Sequence, residues 1–200
     1  MIQIINYGLG NLGSVQNMLK RINVQSIIIK SPRDLITEKI ILPGVGSFDT
    51  GMNNLLNDGW IEVLNEKVKK DKVPVLGICL GMQLMTNRSD EGTLGGLGWV
   101  DAEVLKFPSN GLKIPHMGWN IVKPVASDPS ILKSGKEELR FYFVHSYFVR
   151  VKNQADQLGS TYYGSDFTSA FRRENIYGVQ FHPEKSHKFG MMLLKNFALL

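Results

Sequence analysis

The chain reads as an α/β protein of three layers: an open, mainly parallel sheet flanked by helices, with antiparallel strands added to it. Three observations predict this. Short apolar runs and helix-periodic segments alternate from Ile2 to Thr86, the pattern of a parallel sheet covered on both faces. From Trp99 onward the pattern changes to β-rich segments. A last helical stretch, about His187 to Leu200, carries Phe189, Met192, Leu193, Asn196 and Phe197 at helical spacing.

In order, Ile2–Asn6 reads as a strand, Ser14–Arg21 as a helix, and Ser26–Ile29 and Ile40–Leu42 as strands. Leu55–Lys70 is predicted helical with a break near Gly59, Val75–Ile78 is a central strand, and Gly81–Thr86 is a short helix. The later strands are Val100–Phe107, Ile121–Lys123, Leu139–Val144, Tyr147–Val151, Ala170–Arg173 and Ile176–Gln180. Thr86–Gly98 and Ala126–Glu138 are rich in Gly, Asp, Ser and Pro and read as loops. Neither separates two cores, and no repeat or low-complexity linker interrupts the chain, so residues 1–200 are expected to form one domain.

Composition narrows the class of function. Two hundred residues with 43% hydrophobic content allow one sizeable core. Nothing approaches the ~20 apolar residues of a membrane span, and the start Met1-Ile2-Gln3-Ile4-Ile5 lacks the basic region of an export signal. One cysteine cannot close an internal disulfide, and a reactive thiol suits a reducing compartment, so a cytoplasmic location is expected. The net charge of +5 raises the question of nucleic acid. Lys67, Lys69, Lys70 and Lys72, however, alternate with apolar or acidic residues on what reads as a solvated helix face, without a basic stripe or interleaved aromatics.

Chemistry concentrates in three segments. The single cysteine, Cys79, sits in Gly77-Ile78-Cys79-Leu80-Gly81, where a strand meets a helix through a glycine two residues to either side. That spacing matches the nucleophile elbow with sulfur in place of oxygen, and the helix start turns free N–H groups toward the side chain. On its own a small buried core cysteine fits the segment equally well. The second segment is Tyr177-Gly178-Val179-Gln180-Phe181-His182-Pro183-Glu184-Lys185. His182 and Glu184, two apart at the end of a strand, can supply a base and the carboxylate that orients it. The third is Leu42-Pro43-Gly44-Val45-Gly46, where an apolar strand breaks into a loop with soft dihedrals. Backbone N–H groups of Val45 or Gly46, with that of Leu80, could form an oxyanion hole, although an ordinary strand-ending turn also fits. His116, His145 and His187 lie in separate segments without ligand spacing, and His145, within an aromatic strand, reads as a structural histidine. No metal or cofactor is called for.

Leu42–Gly46, Gly77–Gln83 and Gly178–Lys185, in this order in a chain of this length, resemble the class I (triad-type) glutamine amidotransferases, over essentially the whole chain. Asn6-Tyr7-Gly8-Leu9-Gly10-Asn11, Pro115-His116-Met117-Gly118-Trp119-Asn120 and Tyr142-Phe143-Val144-His145-Ser146-Tyr147 are similar to the branch formed by the glutaminase subunits of imidazole glycerol phosphate synthase. The resemblance implies a flavodoxin-like three-layer fold and hydrolysis of glutamine by Cys79, His182 and Glu184. It implies glutamine recognition by Gly46, Gln83, Ser146 and Tyr147, although Gln83 also reads as a helix-surface residue. It further implies delivery of ammonia to a (β/α)₈-barrel synthase partner, with Asn11, Tyr142 and Lys185 at the contact and Trp119 beside it.

Other readings stay open from sequence. A related branch feeds a nucleotide-linked or surface-polysaccharide sugar, and the segment from Asn87 to Ala102 looks less typical of the histidine-pathway branch. A non-enzymatic subunit is opposed by the intact Cys79, His182 and Glu184. A stand-alone thiol hydrolase would need no partner.

Overall fold

In the computed structural model the described residues are 1–36, 38–108, 111–125, 130–135 and 137–200. The first half alternates as the periodicity predicts: β1 (Ile2–Ile5), α1 (Leu12–Arg21), β2 (Ser26–Ile29), β3 (Ile40–Gly44), α2 (Phe48–Asn57), α3 (Trp60–Asn65), β4 (Val75–Cys79) and α4 (Leu80–Leu84). The second half is mostly strands: β5 (Arg88–Ser89), β6 (Ala102–Lys106), β7 (His116–Ile121), β8 (Lys123–Pro124), β9 (Arg140–His145), β10 (Tyr147–Val151), β11 (Gln157–Tyr163), β12 (Ser165–Arg173) and β13 (Ile176–Val179). Helix α5 (His187–Ala198) closes the chain.

One sheet runs β2-β1-β3-β4-β13-β12-β10-β6-β5, with β11 on β12 and β8 on β11. From β2 to β13 every pairing is parallel. At β12 the sheet turns antiparallel and stays so through β10 and β6. Strands β7 and β9 form a separate antiparallel ribbon in which His116 faces His145 and Trp119 faces Tyr142.

Side-chain alternation along the strands builds two cores. Ile2, Ile4 and Ile41 share one face with Val15 and Leu19 of α1 and Leu193, Leu194 and Phe197 of α5. Ile5, Ile40 and Leu42 share the other with Phe48, Met52, Trp60 and Leu64 of α2 and α3. Both faces are therefore dry, which is why the parallel strands read as near-continuous apolar runs.

Several boundaries differ from the sequence prediction. Helix α2 begins at Phe48 rather than Leu55. Its first turns hold Gly51, Asn53 and Asn54, weak helix formers, and they are secured from outside. Glu91 Oε2 accepts from Phe48 N–H at 2.9 Å, and Asp49 accepts from Thr93 and Leu94 N–H at 2.9–3.1 Å. The loop 86–98 is thus a clamp on α2. The expected break at Gly59 is present, with φ 73°, and α3 runs on into a π-helical turn, Glu66–Lys70. Strand β7 begins at His116 rather than Ile121, β12 at Ser165 rather than Ala170, and β11 is an unpredicted strand. Within the predicted loop Ala126–Glu138, residues 126–129 and 136 lie outside the described residues, and Ser130–Leu132 forms a 3-10 turn with Ile131 and Leu132 buried.

Candidate active site

Cys79 ends β4 and immediately precedes α4, with φ 53° and ψ −108°, a conformation that L-residues rarely hold. The flanking glycines explain how the chain tolerates it. A Cβ on Gly77 would stand 2.7 Å from the Gly81 carbonyl carbon and oxygen, and one on Gly81 would overlap the Leu42 carbonyl oxygen. Strand β4, strand β3 and α4 therefore meet backbone to backbone around the sulfur, as a nucleophile elbow requires.

Next to it in the sheet, β13 delivers His182 and Glu184. His182 Nδ1 and Glu184 Oε1 are 2.8 Å apart, and both side chains are buried. The two face each other through a 3-10 turn, Pro183–Lys185, rather than through the extended backbone that the spacing suggested. The neighbouring ribbon fixes the turn: His182 N–H donates to the Tyr142 carbonyl at 2.9 Å, and Ser186 Oγ links His182 O to Tyr142 N–H. Burial presses the His182 pKa down, but the Cys79 sulfur and the Glu184 carboxylate outweigh it and hold the ring up to about 10. Nε2 falls short of a hydrogen bond to the sulfur in this state. With its pKa held there, the His182 ring is charged at neutral pH.

A cavity of about 350 Å³ opens at this point, lined by Val45, Gly46, Cys79, Leu80, Gln83, Ser146, Tyr147 and His182. Every residue that the sequence assigned to the nucleophile, the base, the oxyanion hole or glutamine recognition reaches this one space, and Glu184 stands behind His182. Gln83 is buried, so it is a wall of the cavity and not a helix-surface residue. Val45 and Gly46 are exposed, and Gly46 has φ 121°, so the segment after β3 is a loop only glycine adopts easily. Behind it the buried Tyr7 hydroxyl lies where a Cβ on Gly44 would collide with it. Burial, reinforced by the Cys79 charge, raises the Tyr7 pKa well above its ordinary value.

Sequence reasoning missed Glu91, Pro115, Val144 and the pocket position of His145. Glu91 is the most informative of these. One carboxylate oxygen caps α2 at Phe48, and burial pushes the pKa of the group up, against that backbone bond. Its only sequence signal was an acidic residue in a Gly-rich loop. His116 and His145, remote in sequence, also meet in space at 2.9 Å. Among the described residues no group of three or more His, Cys, Asp or Glu is placed to hold a metal ion, and no helix is long and apolar enough to cross a membrane.

The four residues expected at a partner contact are partly gathered. Trp119 is 48% exposed and stands edge-on to Tyr142, and Lys185 Nζ lies 5.8 Å from the Tyr142 ring centroid. His187, not anticipated, stacks on Trp119 at 5.6 Å. Asn11 is exposed at the start of α1, the helix that packs against the Pro183–Lys185 turn.

Residues 3–200 match the family model of class-I glutamine amidotransferases. Imidazole glycerol phosphate synthase subunit HisH 2 of Methanococcus maripaludis is 54% identical over 200 residues, 98% of either chain. Imidazole glycerol phosphate synthase subunit HisH of Bdellovibrio bacteriovorus is 50% identical, covering 99% of both chains, and subunit HisH 2 of Pseudomonas aeruginosa is 50% identical over the full length of both. Among solved structures, a glutamine amidotransferase superposes over 100% of both chains with TM-score 0.78 at 16% identity. PurLQS from Thermotoga maritima superposes over 98% of this chain and 96% of its own with TM-score 0.74 at 16% identity. At that identity the superpositions speak for the fold. With the sequence matches, they make this chain a member of the class I glutamine amidotransferase family, and an enzyme of that kind.

Proposed function

We propose that the chain is the glutaminase subunit of an imidazole glycerol phosphate synthase, hydrolysing glutamine to glutamate and ammonia for a (β/α)₈-barrel partner in a cytoplasmic histidine-forming pathway. One observation carries the chemistry: three segments far apart in sequence line a single cavity of about 350 Å³ that contains the cysteine, the histidine and the glycine-bearing backbone loop. The three full-length relatives, whose names carry the synthase, support the pathway.

In this reading the Cys79 thiolate attacks the side-chain amide carbon of glutamine beside a protonated His182. The carbonyl oxygen becomes an oxyanion facing the N–H groups of Leu80 and of Val45 or Gly46. His182 gives its proton to the amide nitrogen, the C–N bond breaks, and ammonia leaves a γ-glutamyl thioester. Water, deprotonated by His182, then attacks the thioester. The C–S bond breaks, the sulfur leaves as thiolate beside the reprotonated His182, and glutamate is released. Glu184 orients the imidazole through Nδ1. Gln83, Ser146 and the Tyr147 backbone grip the substrate, and Glu91 receives its α-ammonium.

Ammonia released to water at neutral pH becomes ammonium and loses its nucleophilic lone pair, which is why a sealed partner is needed. Asn11, Trp119, Tyr142 and Lys185 form that contact in this reading. A second reading keeps the chemistry and changes the acceptor. Two of the relatives bear a numeral in their names, "HisH 2", which points to organisms with more than one such subunit. A second copy is free to supply a nucleotide-linked or surface-polysaccharide sugar.

The test is glutamate formation by the chain alone, with its co-purified partner, and with partner plus acceptor. The isolated chain should be slow, and partner with acceptor should raise turnover on the order of 100-fold, a bias within reach of a few polar contacts. Stimulation by a phosphorylated amino-imidazole precursor assigns the histidine pathway, and stimulation by a sugar acceptor alone assigns the second reading. Full activity in the isolated chain, indifferent to partner, contradicts both.

A further inference from the structure

A hydrogen-bonded chain runs from half-buried Asn120 through the buried His116 and His145 to the Tyr147 carbonyl at the pocket, and the chemistry above makes no use of its two histidines. Its protonation pattern follows from one fixed point. The Tyr147 carbonyl can only accept, so His145 Nδ1 carries the proton it donates across 2.7 Å. In a neutral ring Nε2 is then bare, and it accepts from His116 Nδ1–H at 2.9 Å. His116 Nε2, bare in turn, accepts from Asn120 Nδ2 at 3.1 Å, and the other amide hydrogen of Asn120 goes to the Tyr162 carbonyl at 3.0 Å. The Asn120 oxygen is already engaged by Ile121 N–H, which rules out the flipped amide.

Neutrality is enforced. Burial holds His116 at about 4. Burial holds His145 at about 3, against the opposing bond to Tyr147, and repulsion from His116 and His182 adds to it. His116 is also clamped between the rings of Phe143 and Tyr163, at 4.8 and 4.1 Å, so it cannot swing to another partner.

The same Tyr147 carbonyl accepts a second hydrogen bond, from Gln83 Nε2 at 3.2 Å. Gln83 gives its other amide hydrogen to Gln180 Oε1 at 3.1 Å, and Gln180 Nε2 reaches Cys79 Sγ at 3.8 Å. With both hydrogens committed, the only group Gln83 has left to offer is its carbonyl oxygen.

We infer that His116 and His145 are positioning residues for the substrate pocket: they fix the Tyr147 carbonyl, and through it the Gln83 amide, so that the pocket presents an acceptor to the N–H groups of a bound glutamine. This rests on the glutaminase reading for the identity of the ligand and on geometry alone for the relay.

Two measurements test it separately. In ¹⁵N-histidine spectra of the isolated chain, both rings should be neutral and protonated at Nδ1. The Gln83 side-chain amide, identified by its loss in Gln83→Glu, should show two distinct, exchange-protected hydrogens. His116→Phe keeps the stacked ring and removes the relay, so it should shift and deprotect that amide. His116→Asn, which can still donate to His145, should restore it. In the native complex, His116→Phe should raise KM for glutamine about tenfold with kcat within about threefold, the signature of lost binding rather than lost chemistry, and His116→Asn should recover most of it. Either ring protonated at Nε2, a Gln83 amide indifferent to His116→Phe, or a fall in kcat at constant KM would overturn the inference. If the spectra follow expectation and the wild-type complex does not hydrolyse glutamine, the relay stands and the glutaminase reading falls.

Discussion

The two halves of the sheet do different work. The parallel half, β2 through β13, supplies the nucleophile candidate on a backbone so tightly packed that glycine is required at 77 and 81. The antiparallel half and the β7–β9 ribbon supply Ser146, Tyr147 and the His116–His145 pair. The histidines of the two regions are driven in opposite directions: His182, between sulfur and carboxylate, is held up to about 10, while His116 and His145, surrounded by aromatic rings, drop to about 4 and 3. Burial acts on all three. What separates them is an anionic partner, so the same residue type is charged on one side of the pocket and neutral on the other.

The largest effect that follows is on the parallel side. Cys79→Ala should reduce glutamine hydrolysis to background while the circular dichroism spectrum and partner binding remain, because one sulfur atom contributes little packing. Residual turnover in this variant would contradict the assignment of the nucleophile. His182→Ala comes next, with a loss on the order of 10²–10⁴-fold in kcat. Glu184→Gln should lose less, since an amide still holds the ring; steady-state kinetics with partner present decide the order, and a larger loss for Glu184→Gln would break it.

That half was also the more legible one. Its apolar runs, the glycines around Cys79 and the Pro43–Gly46 loop are all local signals, and the pocket collects the residues they named. The antiparallel half hid its elements for physical reasons. β12 is buried along Phe167–Phe171 on both faces, which erases the alternation that marks a half-exposed strand. β7 carries Gly118 with φ 124°, and β11 carries Gly159, whose lack of a Cβ makes room for Leu132 and Val122. Glu91 earns its place through a cap on α2, a contact between residues 43 apart that no local pattern announces. The pairing of His116 with His145 arises only from the ribbon register.

A smaller effect compares the halves directly through glycine. Gly81→Ala forces a methyl into the Leu42 carbonyl and should cost about 3 kcal/mol or more of unfolding free energy. Gly118→Ala meets open space and suffers only its positive φ, about 1 kcal/mol. Denaturant unfolding of the two variants tests this, and equal losses would mean the elbow is less tightly packed than described.

The subtlest effect lies in pH. His182, raised above its ordinary value near 6.5, contributes stability that is complete below 6.5 and lost as pH rises toward 10. His116 and His145, lowered from the same value, contribute stability that is present above 6.5 and lost as pH falls toward 4 and 3. Unfolding free energy should therefore decline on both sides of neutrality. His182→Ala should flatten the alkaline limb, and His116→Phe should soften the acid limb while leaving the alkaline one in place.

The most direct test of the convergence of both halves on one site is labelling with a glutamine analogue that carries an electrophile at the δ-carbon position. The expected result, read by peptide mass mapping, is one adduct on Cys79, blocked by excess glutamine and slowed in both His182→Ala and the pocket-filling Ser146→Phe, one variant from each half. Labelling that glutamine does not block, or an adduct on any residue other than Cys79, would contradict the account.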